Sequence, residues 1–385
     1  MRILTITGSI YGWTGSAVNE RQLIMHLAKK VEKCYVITFV GFRQVFTKRR
    51  DELKINMPQN TVIISIPFPF LTCIVMSCII GIIAVILSKL RKIDFIYIRS
   101  SLYSIGFLVF RSLSKKTIVK IGGIVEDELS NKGIRQFYRR KLTPRLDRLV
   151  LARSKRVAVN NAELYNKLVK RRSFKHNREP LEIQAGVNLS LIKKVLTQSH
   201  EKIPRNNINI GFIGSLALWQ GVDILVRALE IVKIYEPSVK LLIIGDGPMR
   251  EEINRISKEL DIDCKITGYL PHEEALSHLK SLDIMVLPRL RTPNTESIIP
   301  IKVIEAWALG IPVIVTRHKV FSDRYVDGDD IVFCETNPED VARSILFLLQ
   351  DRGTLLKLAK RGPELARDFS YDKIADRLLS AFIEK

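Results

Sequence analysis

The sequence predicts an α/β protein made of two doubly wound domains. Three observations lead there. The chain has 385 residues, too long for one ordinary core and long enough for two. Short apolar runs alternate with helical patterns throughout. The run "IPVIVT" is β-branched and apolar on both faces, as a buried parallel strand is.

In the first half, "RILTIT", "CYVITFV", "VIISI" and "FIYIR" read as strands of one sheet. Between the third and fourth lies "LTCIVMSCIIGIIAVIL", residues 71–87, uncharged and followed by Lys89, Arg91 and Lys92. It is short of the roughly 20 residues that span a bilayer. A sheet cannot be divided across a membrane, so the run reads as a buried crossover helix or as a surface helix dipping into lipid, ahead of a true span. In the second half the expected strands are "INIGFIG", "VKLLIIG", "CKITGYL", "IMVLP", "PVIVT" and "IVFCE", with helices beginning near Val222, Met249, Glu273, Pro300 and Pro338. The expected division is a first domain over 1–196, a polar linker over 197–209, a second domain over 210–365, and a C-terminal helix over 366–385 packing back on the first domain.

Charge is divided along the same line. Residues 1–200 carry 36 Lys and Arg against 12 Asp and Glu, whereas residues 201–385 carry 25 against 28. The first half is therefore suited to an anionic surface or substrate, and a polyanion tracking the whole chain is disfavoured. No recognition motif or interleaved aromatic platform accompanies the basic half, so nucleic acid is not the expected partner. The five cysteines are odd in number and scattered, which points to neither a disulfide framework nor a metal cluster and fits a reducing cytoplasm. The N-terminal run "MRILTITGSIYG" reads as a strand rather than a leader.

Three strand-to-helix junctions carry the chemistry. "GFIGSLALWQGVDILVRAL" and "LLIIGDGPMREEI" place glycines between a strand and a helix, where backbone N–H groups can approach a phosphate; ordinary turn chemistry gives the same residues. In "TESIIPIKVIEAWALG", Pro300 starts a helix, with Gly310 closing it. Lys302 then falls in the first helical turn, where the macrodipole disfavours a cation by about 0.3–1 kcal/mol. A bound anion would reverse that sign. The alternatives are a solvated lysine pairing with Glu305 at i+3, and phosphate contact by Arg289 or Arg291 in place of Lys302. His272 and His278 read as surface residues, and the acidic run Glu126, Asp127, Glu128 as a solvated loop or an acceptor-side lining.

Six segments in the second half resemble, in order and spacing, glycosyltransferases of family 4: "GFIGSLALWQGVDILVRAL", "LLIIGDGPMREEI", "ITGYLPHEEAL", "DIMVLP", "PIKVIEAWALGIPVIV" and "FSYDKIADRL". "MRILTITGSIYGWTGSAVNERQLIMHLA", "IVKIGGIVEDE" and "IQAGVNLSLI" are weaker counterparts in the first half. The resemblance implies the GT-B fold, two Rossmann-like domains facing each other across a cleft. It also implies transfer of a sugar from a nucleotide-sugar donor with retention of configuration, no cofactor and no bound metal. A lipid-linked or glycan acceptor and an anionic membrane surface are the expected partners, with the protein peripheral on the cytoplasmic face. A nucleic-acid or anionic-surface binder, a non-catalytic sugar-nucleotide binder and a sugar-nucleotide epimerase are the alternatives.

By this resemblance, Glu305 accepts hydrogen bonds from the donor ribose, and Ser297, Ile298, Ile299, Pro300 and Ile301 bring backbone to the diphosphate and hexose. Tyr269 and Leu270 flank the base. Gly214, Ser215, Gln220 and Gly221 form the phosphate loop, with Gly245 in the next turn, and Gly15, Ser16 and Lys120 stand on the acceptor side. Two departures shift the reading. The family's first glutamate falls on Ser297, with Glu296 one place away as the tentative catalytic carboxylate. The family's arginine and lysine in the phosphate loop are Ser215 and Gln220, which promotes Lys302 to the missing counter-charge.

Overall fold

The computed structural model describes residues 1–8, 10, 15–41, 57–68, 73–99, 111–124, 144–145, 147–172, 179–197, 207–293 and 295–384. They form two compact units, one of Met1–Gln184 with Tyr371–Lys385 and one of Ala185–Ser370.

The first unit holds a seven-stranded parallel sheet. Its strands are β1 (Arg2–Ile6), β2 (Lys33–Gly41), β3 (Thr61–Phe68), β4 (Phe95–Arg99), β5 (Thr117–Ile121), β6 (Arg156–Val159) and β7 (Leu181–Glu182). They lie in the order β3-β2-β1-β4-β5-β6-β7. β1, β4 and β5 are buried nearly end to end, which is why they read as continuous apolar runs. On one face the helix Gly15–Lys29 packs Leu23, Ile24 and Leu27 against Ile374, Leu378 and Phe382 of the helix Tyr371–Ile383. Asn19 accepts a hydrogen bond from the Tyr371 hydroxyl at 2.9 Å.

From residue 73 the apolar run forms the helix Cys73–Leu90, and from Ile79 onward it is neither wholly buried nor wholly exposed. Ile80 and Ala84 sit in a core cluster with Ile37, Ile96 and Ile98. Ile79, Ile82, Ile86 and Leu90 are exposed, Ile82 at 56% and Leu90 at 74%. That spacing of three and four residues puts them on one stripe. Among the described residues no helix is long and apolar enough to cross a membrane.

The second unit has six parallel strands: β8 (Ile208–Ile213), β9 (Val239–Ile244), β10 (Cys264–Ile266), β11 (Ile284–Leu287), β12 (Val313–Thr316) and β13 (Val332–Cys334). Their order is β10-β9-β8-β11-β12-β13, so the order in which strands are added reverses between β8 and β11. Ligands of open α/β sheets bind outside the carboxyl ends of the strands at such a reversal. The division between units falls after Gln184, ahead of the polar stretch at 197–209 expected from composition, of which residues 198–206 lie outside the described residues. The reason is the helix Leu189–Thr197, whose Ile192 and Val195 are buried in the second core rather than the first.

Candidate functional site

The site is assembled from the loops that leave β8, β9, β10, β11 and β12. After β8, Gly214 has φ +136°, a conformation open to glycine, and a Cβ placed there would lie 2.3 Å from the Lys302 amine. Ser215 is exposed in that loop, Gln220 is buried, and Gly221 opens the helix Val222–Tyr235. The loop after β9 closes onto it. Gly214 N donates to Ile244 O at 2.9 Å, Leu216 N to Asp246 O at 2.9 Å, and a Cβ at Gly245, with φ +140°, would meet Gly214 O at 2.1 Å. The Gly-Asp-Gly-Pro turn thus serves as a floor for the first glycine loop, with Asp246 tied to Arg250 at 2.7 Å.

After β11 the chain runs from Pro288 to the helix Ile301–Ala308, with Pro300 extended just before the first turn. Thr295 Oγ1 donates to Leu290 O at 2.8 Å and accepts from Thr292 N at 2.7 Å, so the loop is braced from within. Ser297 is buried and its hydroxyl donates to Pro293 O at 2.9 Å. Ile299 is buried in the core, while Ile298 and Ile301 are half-buried. Both carboxylate oxygens of Glu296 are engaged, one by Arg291 at 3.1 Å and the other by the backbone N of Lys319 at 2.7 Å.

The Lys302 side chain leaves its helix and lies over the glycine loop. Its amine donates to Gln220 Oε1 at 3.2 Å and sits 4.2 Å from the centre of the Phe212 ring. Parts of the residue remain half-exposed, but the amine itself is enclosed. Burial, then the nearby Arg289 charge, hold its pKa well below the usual lysine value, against an opposing pull from Glu305. The i,i+3 pair with Glu305 is not made. Glu305 is buried and accepts from His272 Nε2 at 2.6 Å. His272 is therefore not the surface residue expected from sequence. It opens the helix His272–Lys280 behind Tyr269 and Leu270, and it fixes one oxygen of Glu305. Tyr269 is largely exposed and Leu270 half-buried.

Of the two rival cations Arg289 is the buried one, and a further group, His318, was not singled out by sequence. Arg289 is only 7% exposed, and burial pushes its guanidinium down to about 10, still charged at neutral pH. His318, just after β12, is buried with Nδ1 3.0 Å from Thr295 O and Nε2 3.0 Å from Arg289 O. Arg291, the other rival cation, is exposed and spent on Glu296 and on Glu335 at 3.2 Å.

In the first unit, Gly15 and Ser16 open the helix Gly15–Lys29. Lys120 is buried in β5, donates to Ile183 O, and faces the pair formed by Glu20 and Arg99 at 2.8 Å. Glu126, Asp127 and Glu128 lie outside the described residues.

Comparison with known proteins bears on what this arrangement does. Residues 207–351 match the family model described as glycosyl transferases group 1. An uncharacterized glycosyltransferase of Haemophilus influenzae is 25% identical over 173 residues, 44% of this chain and 47% of that protein. One from Methanocaldococcus jannaschii is 26% identical over 322 residues, 76% and 78% of the two chains. The alpha-monoglucosyldiacylglycerol synthase of Acholeplasma laidlawii is 23% identical over 59% of this chain and 58% of that one. The match thus spans about half the length of the first and third of these relatives. Among solved structures, Anabaena Alr3699/HepE in complex with UDP and glucose superposes with TM-score 0.72 at 14% identity over 100% of this chain and 99% of that one. Sucrose-phosphate synthase from Thermosynechococcus elongatus gives 0.73 at 16% over 100% and 98%. These likenesses establish the fold, which is GT-B.

Proposed function

We propose, from the premise that this chain belongs to the glycosyl transferases group 1 family through residues 207–351 and is a transferase enzyme, that its second unit binds a nucleoside diphosphate sugar and that the sugar passes to a lipid-linked or polysaccharide acceptor with retention of configuration. The observation that carries the reading is the Lys302 amine, enclosed over Gly214 and bonded to a neutral amide rather than a carboxylate. A buried cation without an acid costs several kcal/mol, and an anion arriving at the Ile301–Ala308 helix start would recover much of it. UDP held by Anabaena HepE supports the same class of ligand.

In this reading Glu305, oriented by His272, accepts from the ribose, with Tyr269 and Leu270 at the base. Lys302, the backbone of residues 297–301 and the loop of Gly214, Ser215, Gln220 and Gly221 hold the diphosphate. The bond from sugar C1 to the phosphate oxygen breaks, its electron pair goes to the departing diphosphate, and the acceptor oxygen attaches to C1 on the face that is vacated. The acceptor's proton passes to the departing phosphate oxygen. Charge stabilisation and positioning then supply the rate, with no metal ion called on. We assign Glu296 the bracing of the loop through Arg291 and the Lys319 amide, and the acceptor to the first unit with Gly15, Ser16 and Lys120.

A thermal-shift panel of UDP-, GDP- and ADP-sugars tests the donor assignment, since a ligand at 100 times its Kd stabilises by about 2.7 kcal/mol. One base class should raise the melting temperature in the wild type and fail to in Glu305→Gln. No shift with any of the three ends the reading. Release of an epimerised nucleotide sugar, with no transfer to any acceptor, would replace transfer by epimerisation.

The stripe of Ile79, Ile82, Ile86 and Leu90, ending among Lys89, Arg91 and Lys92, fits a helix lying in the headgroup layer of an anionic membrane. Flotation with phosphatidylglycerol-rich vesicles should carry the wild type and not Ile82→Glu. Equal flotation with neutral phosphatidylcholine vesicles would remove the anionic requirement.

A further inference from the structure

We propose that Arg289, held by Trp219 and His318, is a second phosphate-binding group of the donor site, so that the cradle selects a diphosphate over a monophosphate. The inference rests on the donor reading above and adds to it the group that meets the second phosphate.

The argument starts from an unfilled valence. Nε and Nη1 of Arg289 are buried and have no hydrogen-bond partner among the described residues. Leaving such donors unmatched is expensive, and natural structures rarely do so without a use for them. The group is nevertheless held firmly. Its guanidinium carbon lies 4.9 Å from the centre of the Trp219 ring, a cation–π contact that holds the group without taking up its N–H donors. The backbone under it is clamped twice. Trp219 O accepts from Leu290 N at 3.0 Å, and the His318 ring spans the carbonyls of Arg289 and Thr295. Orientation without a partner is the condition of a binding group waiting for its ligand.

The surrounding charges give that ligand's sign. Lys302 experiences Arg289 as a repelling neighbour, and the carboxylate that opposes this, Glu305, is already bonded to His272. Arg291 differs in being matched to two glutamates. Two cations from different elements, one after β11 and one in the next helix, therefore stand together with no acid bonded to either. A monophosphate can satisfy one of them. A diphosphate offers one phosphate to each, and the planar guanidinium fork suits two oxygens of a single phosphate. This also accounts for Ser215 and Gln220, since the cations absent from the glycine loop are supplied from the opposite side of the sheet reversal.

The experiment uses the full chain and measures Kd for UDP, GDP and ADP, the three monophosphates, and inorganic pyrophosphate, at two salt concentrations. In Arg289→Met, affinity for the diphosphate that the wild type binds should fall by about 10- to 100-fold, monophosphate affinity should fall less, and the salt dependence should flatten. Arg289→Lys should recover part of the loss. Wild-type affinity in Arg289→Met, with the diphosphate-to-monophosphate ratio preserved, would reduce Arg289 to packing under Trp219 and overturn the proposal. If Arg289→Met does not fold, Trp219→Leu carries the test: a selective loss of diphosphate affinity supports the assignment, and an unchanged ratio overturns it. Failure of the wild type to bind any of the three diphosphates is a separate result, and it removes the donor reading itself.

Discussion

Lys120 in the first unit and Lys302 in the second are both enclosed lysines near the carboxyl ends of a parallel sheet, yet they are treated differently. Lys120 donates to the backbone Ile183 O and faces a carboxylate and a guanidinium that are already paired, Glu20 with Arg99, and burial sets its pKa at about 7. Lys302 has an amide, an aromatic ring and a like charge, while the acid nearest to it is committed elsewhere. Lys120 is anchored to the backbone of its own unit, whereas the reading proposed above gives Lys302 an anion that comes and goes.

The sharpest way to break this comparison is to remove each charge. Lys302→Met should lower kcat/KM by about 100- to 1,000-fold, the loss typical of a deleted charge-stabilising donor, while raising the melting temperature of the ligand-free protein. Lys120→Met should lower the melting temperature, because Ile183 O loses its donor. The same sign of stability change in both would erase the distinction.

Next in size is Gly214→Ala. Its φ of +136° and the 2.3 Å approach to the lysine amine predict a loss of about 1–3 kcal/mol in denaturant unfolding. In a double-mutant cycle with Lys302→Ala part of that loss should vanish, because only the backbone strain remains. Additive values would mean that the two residues do not meet.

Titration sharpens the comparison further. An unfolded lysine keeps its proton to about 10.5, whereas folded Lys120 releases it near 7. Between those values the unfolded chain binds more protons, so stability rises with pH, and the wild type's advantage over Lys120→Met should widen from pH 7 to 10. His318 gives the acid counterpart: burial pushes its pKa to about 4 against 6.5 unfolded. Stability should fall as pH drops from 6.5 toward 4, a limb that His318→Asn flattens. The smallest effect belongs to Arg291→Met, an exposed and matched cation, which should change donor affinity by less than about threefold.

How much of this could be read in advance varied with the range of the interaction. The strands of the second unit were legible because a buried parallel strand is apolar on both faces, and the Pro300 helix because its apolar positions recur at 3.6. Lys302 stood out because it is a cation in a first turn. Where its amine goes was not legible, since that depends on how a loop far earlier in the chain, with no side chain at Gly214, folds against it. Glu305 could be assigned by resemblance, but its partner His272 lies 33 residues away and belongs to another element. The boundary after Gln184 was hidden for a related reason. Whether Ile192 and Val195 fill one core or the other is a matter of packing, and no local polarity change marks it.

The helix Tyr371–Ile383 completes the first unit's core although the whole second unit separates it from the rest of that core in the chain. On the ribosome the order of completion is therefore inverted. Ala185–Ser370 can fold as soon as it emerges, whereas the half synthesised earlier keeps Leu23, Ile24 and Leu27 uncovered until Tyr371–Ile383 has been made, an interval in which chaperones have apolar surface to hold.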